Sequence, residues 1–587
     1  MRSFLITLFA IILILAAIAG MAIPTAALYR YYFVPNSSVV PAFAEGTLNL
    51  VVEGEHVTMA SPPKIIDEEI LLPIETVRKY FDPYIWWDEE LKVVTITTGN
   101  RVIRMRTDNL DALVNNEPIK LNIPAQIDNG VVYIPIDFLS EYYNIEINRV
   151  KSNNVIIIDY RNSIREIAEP ISSEACVRKG KSIRYPVLKK FNLNTEKQED
   201  NLLRVFETYD GWYKVRTSDG IIGYIESKHV VIKKLLVNEL PVRKSYEPEW
   251  KPEKGKLNLV WEMTYGKRPE VTKIEGLDVL SPTFFEVINE NGDVLNRCDK
   301  VYIDRAHALG YQVWALLQNE FKNPDNTEKL LNSTEARDNL IKQLLAYAAL
   351  YELDGINIDF ENVYMRNKDA LTQFVREATP LFKEQGLVVS IDVGVPDGSE
   401  NYSLCYDREA FAEVVDYIMV MTYDQHWATS PVAGSVAQLT WVEKNIKRML
   451  DLVPREKLLL GLPFYVRVWK EGIDENGIFR VTSPGVVAMQ RAYELIQEND
   501  AQIEWDSVSG QYYAQYKKDE AVYKIWLEDE TSINLKSSLV HKYKLAGTAS
   551  WSKTFETAEV WNVLYRNLKL HENYQEWVVA NSDTQNN

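Results

Sequence analysis

The chain has 587 residues, enough for about three or four domains at roughly 100–200 residues each. Its apolar content is 46% and its aromatic content 11%, which excludes a disordered or low-complexity chain. The formal net charge of -18 makes a surface that repels phosphate backbones, so a nucleic-acid partner is disfavoured while uncharged polymers such as polysaccharides stay open. Cys176, Cys298 and Cys405 lie far apart, the histidines are scattered, and no His-Glu-x-x-His or paired-Cys motif occurs. No protein-bound catalytic metal or other cofactor is therefore implied.

In chain order, the first feature is an apolar run from Phe4 to Leu28, long enough to span a bilayer, which needs about 20 apolar residues. Arg2 precedes it and Tyr29, Arg30, Tyr31 and Tyr32 follow, as flanks of an N-terminal transmembrane helix would. Ala17-Ile18-Ala19 offers the alternative of a cleaved signal peptide. On either reading residues 1–33 send the remainder outside the cytoplasm, anchored to the membrane or released.

Residues 46–160 read as short strands with Asn/Gly turns, and they carry an internal echo. Ile66-Asp-Glu-Glu-Ile-Leu-Leu-Pro73 resembles Ile127-Asp-Asn-Gly-Val-Val-Tyr-Ile-Pro135, each followed by a short helix and a β-branched strand. The pattern resembles the copper amine oxidase N-terminal-like domain, although no His or Cys cluster here suits copper. A spacer or wall-binding role is the reading preferred over chemistry. Residues 172–234 resemble a bacterial Src-homology-3-like (SH3-like) domain through Val177-Arg-Lys-Gly180, Gly211-Trp-Tyr-Lys-Val-Arg216 and Asp219-Gly-Ile-Ile-Gly-Tyr224. Cell-wall binding and a plain linker both remain open for it.

From Lys256 apolar strands alternate with amphipathic helices, which argues for parallel strands joined by crossover helices. Eight strand candidates can be counted: Leu257–Met263, Val279–Phe285, Gln312–Leu317, Gly355–Phe360, Val388–Val393, Tyr417–Thr422, Lys457–Pro463 and Ala546–Trp551. Residues 256–568 thus predict a (β/α)8 TIM barrel, with a small α+β insertion at about 470–543 and a C-terminal tail at 569–587.

The segment Asp354-Gly-Ile-Asn-Ile-Asp-Phe-Glu361 carries the chemistry. On a strand, side chains alternate faces. Ile356, Ile358 and Phe360 then pack outward on helices, while Asn357, Asp359 and Glu361 point into the barrel, where unpaired carboxylates are costly. Asp359 and Glu361 are two residues apart, so their Cα atoms are roughly 6–7 Å apart. Such a pair does not flank a scissile bond as a nucleophile and acid must. Side by side, a charged Asp359 would raise the pKa of Glu361 and keep it a proton donor.

This segment resembles the Asp-x-x-Asp-x-Asp-x-Glu signature of glycoside hydrolase family 18, which includes chitinases, N-acetylglucosaminidases and spore cortex hydrolases. Met421-Thr-Tyr-Asp424, Gly461-Leu-Pro-Phe-Tyr465 and Leu545-Ala-Gly-Thr-Ala-Ser-Trp551 agree in order. The resemblance implies a retaining, substrate-assisted hydrolase of β-1,4 bonds in GlcNAc-containing polymers, peptidoglycan or chitin-like, at the cell envelope. It implies catalytic roles for Glu361 as acid, Asp359 and Tyr423 on the acetamido group, and Asn357 as a hydrogen-bonding neighbour of Asp359. Trp551 would floor the sugar site. Asp424, Tyr465, Trp261 and Tyr265 line the cleft or serve the core. Two departures stand out: Asn357 occupies the place of the second Asp, and Val313-Trp-Ala-Leu-Leu-Gln-Asn319 lacks the Ser-x-Gly-Gly of many chitinases. The second leans towards the spore and envelope branch. The competing class is a lectin-like protein that grips such polymers without cutting; a metal-dependent deacetylase lacks ligands.

Overall fold

The computed structural model describes residues 25, 28–29, 33–162, 164–193, 201–237, 248–265 and 270–582. The expected membrane or signal segment lies outside the described residues as far as Pro24. Among the described residues no helix is long and apolar enough to cross a membrane. The chain divides into two compact units: Met1–Ile85, Arg106–Asp111 and Lys120–Lys244 in one, and Trp86–Met105, Ala112–Ile119 and Ser245–Asn587 in the other.

In the first unit the sequence echo becomes a physical pairing. Strands Glu69–Pro73 and Val131–Pro135 are antiparallel neighbours, with Leu72 opposite Ile134. Each ends in a proline that stands just before a short helix, Ile74–Tyr80 and Ile136–Leu139. Proline suits that junction because it has no N–H to satisfy and its φ already fits the start of a helix. A separate seven-stranded sheet runs from Ile164 to Val237. Strand Ile164–Pro170, ahead of the boundary expected at 172, belongs to this sheet and pairs with both Val230–Val237 and Leu203–Tyr209.

The second unit is built on a closed barrel of eight parallel strands. They are β1 (Leu257–Glu262), β2 (Val279–Pro282), β3 (Gln312–Gln318), β4 (Gly355–Asp359), β5 (Val388–Gly394), β6 (Tyr417–Met421), β7 (Leu458–Pro463) and β8 (Gly547–Trp551). Each pairs with the next, and β8 pairs with β1 to close the ring. Strand alternation makes two cores. Outward residues such as Ile356, Ile358 and Phe360 are fully buried against the helices, while Leu259, Trp314, Leu316 and Met419 fill the barrel interior. Helix Lys368–Glu384 follows β4 as expected, with the apolar Phe374, Ala378 and Phe382 on its buried side.

The insertion is a five-stranded sheet beginning at Tyr465, directly after β7, and ending at Trp526, with helix Met489–Glu498 packed on it. Glu530–Tyr543, inside the stretch read as insertion, is instead the helix that leads into β8. The C-terminal tail is also corrected. Lys569 bridges to Asp278 at 2.6 Å, and helix Tyr574–Asn581 buries Trp577, whose indole donates to Asn534. Tyr574 and Trp577 in one short helix were too weak a periodic signal to reveal this docking.

The strands from Trp86 to Met105 cluster with the barrel. Arg104 bridges to Asp338 at 2.6 Å and to Glu377 at 3.3 Å. Glu377 is in turn held by Arg337 at 2.9 Å, with both side chains fully buried.

Candidate active site

β4 places the chemistry at the C-terminal mouth of the barrel. Asp354 sits at the opposite end, where its carboxylate accepts from the Val313 N–H at 2.7 Å and pins β4 to β3. Asn319, just after β3, clamps the other end: its amide donates to the Glu361 carbonyl and its Oδ1 accepts the Glu361 N–H, both at 2.9 Å. The Tyr406 hydroxyl donates to the Phe360 carbonyl at 2.9 Å. Asn362 then takes a left-handed conformation (φ 51°), which Asn tolerates better than most residues, so the chain turns away and leaves Glu361 on the rim.

A cavity of about 310 Å³ opens there, lined by Asp359, Glu361, Asp392, Tyr423, Trp551 and Trp261 among others. Asp424 and Tyr465 also line it. The Tyr465 hydroxyl donates to Asp424 at 2.6 Å, and Arg467 donates to the same oxygen at 2.8 Å. Trp261 and Trp551 lie edge-tilted with ring centroids 6.1 Å apart; Tyr423 and Tyr465 make a T-shaped pair at 6.2 Å. Of the residues expected at the site, two stand apart. Asn357 is fully buried behind the cavity, and Tyr265 is 54% exposed outside its wall. Gln318 donates to the Tyr265 hydroxyl at 2.6 Å, and Arg297 covers the ring, so Tyr265 is held at the rim by polar neighbours.

The electrostatics follow from enclosure. Burial, then the Asp424 charge, pushes the Glu361 carboxyl up to about 7. The sequence reading assigned the neighbouring charge to Asp359, but Asp359 is itself driven well above the usual carboxylate range by burial, then by Glu361 and Asp392. A carboxyl that stays protonated cannot supply that negative charge, so Asp424 on β6's exit supplies it. Asp392 is raised by burial and by Glu361, with the Asn357 amide pulling the other way. Burial lifts the Tyr423 hydroxyl as well, keeping it a donor.

Asp392, Arg467 and Asn319 were missed by sequence reasoning. For Asp392 a signal existed: Ser390 and Asp392 alternate with Val389, Ile391 and Val393, as the polar residues of β4 do.

Comparison with known proteins places the chain among glycoside hydrolases. Residues 321–556 match the sequence model of Glycosyl hydrolases family 18, and residues 51–158 match the Copper amine oxidase N-terminal domain. The chain is similar to the uncharacterized glycosylase YvbX of Bacillus subtilis (strain 168): 23% identical over 296 residues, covering 48% of this chain and 82% of that protein. It is 26% identical over 252 residues to the cortical fragment-lytic enzyme of the same organism, covering 42% of this chain and 57% of the relative. Among solved structures, the spore cortex-lytic enzyme SleL of Bacillus megaterium QM B1551 overlaps with a TM-score of 0.47 at 22% identity, covering 54% of this chain and 76% of that one.

Proposed function

We propose that the barrel hydrolyses β-1,4 glycosidic bonds of GlcNAc-containing polymers of the cell envelope, with retention and with help from the substrate's own acetamido group. The observation that carries this is Glu361, a carboxyl held near pH 7, in one cavity with Asp359, Tyr423 and an aromatic floor. A general acid works best when its pKa lies near the working pH. Glu361 gives its proton to the glycosidic oxygen as the C1–O bond breaks. The acetamido carbonyl oxygen bonds to C1, forming an oxazolinium ion. Asp359 accepts the acetamide N–H and faces the developing positive charge; Tyr423 donates to the acetamide oxygen. Water then attacks C1 as the bond from C1 to the acetamido oxygen breaks, restoring the acetamide, and the water's proton returns to Glu361. Trp551 offers an aromatic face to the sugar's C–H surface.

Peptidoglycan is favoured over crystalline chitin by the chain's likeness to a cortical fragment-lytic enzyme and by Gln318-Asn319 where many chitinases carry Ser-x-Gly-Gly. The apolar run from Phe4 supports export, as anchor or cleaved signal. The SH3-like region at 172–234 is the proposed grip on the wall. The test is release of reducing ends from peptidoglycan and from chitin oligomers by the full chain, with products weighed by mass spectrometry. Loss of release in Glu361→Gln with oligomer binding kept is expected. A wild-type protein that binds both polymers and cuts neither would leave only the lectin-like reading.

A further inference from the structure

β4 carries Asn357 where its family resemblance leads one to expect a second carboxylate, yet the pocket does not lack one. β5 supplies it. Asp392 is 2% exposed and lines the same cavity as Asp359 and Glu361. In the β4–β5 ladder Ile358 is paired with Ile391, so Asp359 and Asp392 are the next residues along the two neighbouring strands. Adjacent strands lie about 4.8 Å apart, which leaves the two inward carboxyl groups within reach of one bridging water.

The hydrogen bonds around the two groups differ. The Asn357 amide donates to Asp392 Oδ1 at 2.9 Å, while the Asn357 carbonyl oxygen accepts from the Trp261 indole at 2.8 Å and the Ser281 hydroxyl at 3.2 Å. These two donors fix the orientation of the Asn357 amide, so its N–H points at Asp392. Asp359 Oδ1 is buried and accepts no hydrogen bond among the described residues. An anion is favoured where donors converge on it and disfavoured where none does.

We infer that Asp392 is the proton partner of Asp359, a positioning residue that has taken over from β5 the charge-sharing role Asn357 cannot perform on β4. This rests on the hydrolase reading of the site. Before substrate enters, the proton sits on Asp359 and Asp392 is the anion held by Asn357. As the acetamide N–H arrives, the O–H bond on Asp359 breaks and one forms on Asp392. Asp359 is then the carboxylate that the oxazolinium ion requires, and no net charge enters the pocket. The other ionisable groups near this pair are Glu361 just past β4, Tyr406 after β5, Tyr423 and Asp424 after β6, and Tyr465 and Arg467 after β7; Trp261, Trp551 and Met419 add no charge. Both carboxyls are raised by burial, as a pair with one proton to share would be.

The experiment compares Asp392→Asn, and the exchange variant Asn357→Asp/Asp392→Asn, with the wild-type full chain on chitin oligomers across pH. Asp392→Asn is expected to lower kcat by about tenfold or more with KM within about threefold, and to remove one ionisation from the rate profile. The exchange variant, with a carboxylate back on β4, is expected to recover most of kcat and that ionisation. A folded Asp392→Asn with wild-type kcat and profile overturns the inference, and so does an exchange variant no better than the single one. Carboxyl carbon resonances of wild-type Asp359 and Asp392 give a readout that needs no turnover and no variant to fold. Coupled, two-step titration is expected, and two independent single steps overturn proton sharing. A wild type that never cleaves defeats the hydrolase reading, while the resonances still decide the pair.

Discussion

Replacing Glu361 by Gln should abolish hydrolysis and yet stabilise the protein at alkaline pH. Glu361 rises from an ordinary 4.5 to about 7 in the folded chain. A group raised in this way favours the folded state fully below its unfolded pKa, and that advantage is lost as pH climbs from about 4.5 to about 7. Above that window the wild type must either ionise a carboxyl inside the cleft or hold a proton against the solvent. At about 1.4 kcal/mol per pH unit the difference is about 3 kcal/mol, and the opening of the cleft to water reduces it to about 2 kcal/mol. The neutral Gln side chain, of the same shape, is spared that cost. For a barrel of this size, about 2 kcal/mol corresponds to a gain of about 3 °C in Tm. Thermal unfolding of both proteins at pH 4 and pH 8, in one salt concentration, checks this. The expected gap opens only at pH 8. Equal Tm values at both pH values, or a less stable Gln variant at pH 8, would refute the argument that burial sets the acid.

Other perturbations read other parts of the site. Asn357→Asp adds a carboxylate beside Asp392, which favours the protonated form of Glu361; the alkaline limb of the rate profile should move up by about one pH unit, and superimposable curves for the two proteins would count against it. Trp551→Ala removes the proposed sugar floor and should lower kcat/KM about 10–100-fold, a loss of about 1–3 kcal/mol, with reducing-end release as the assay. Gly547 opens β8 where a Cβ would lie 1.9 Å from the Leu257 carbonyl oxygen of β1. Gly547→Ala must push apart the two strands that close the barrel, so a loss of about 3 kcal/mol or more in denaturant unfolding is expected; a change below about 0.5 kcal/mol would contradict the tight closure.

The barrel was legible because buried parallel strands write themselves as short apolar runs and the intervening helices as longer amphipathic ones. β4 was legible twice over: its apolar residues announce the outer core, and its polar residues have no structural reason to share an inward face. The same rule applied to Val388-Val-Ser-Ile-Asp-Val would have exposed Asp392, whose polar neighbour Ser390 is small and drew no attention. Arg467 and Asn319 were hidden for a different reason. Asn319 reaches the site from just past the end of β3, where chain direction is set by turn geometry, and Arg467 from strand Tyr465–Ile473, which starts ahead of the insertion boundary expected at about 470. The charge that raises Glu361 was misplaced because spacing along one strand was legible and burial of Asp359 was not.

The buried Arg337–Glu377 pair bears on how this protein can be handled. Arg104 closes that pair from outside the barrel sequence, Trp86 covers the Arg337 guanidinium with its ring centroid 5.4 Å away, and Val102 joins the same apolar cluster as the barrel helices. A fragment started at Lys256 would therefore be missing a section of its own outer layer, with a carboxylate short of one counter-ion and an apolar face turned to water. The stretch ahead of the barrel is a cladding the hydrolase wears, and an excised barrel is the wrong object on which to measure its stability.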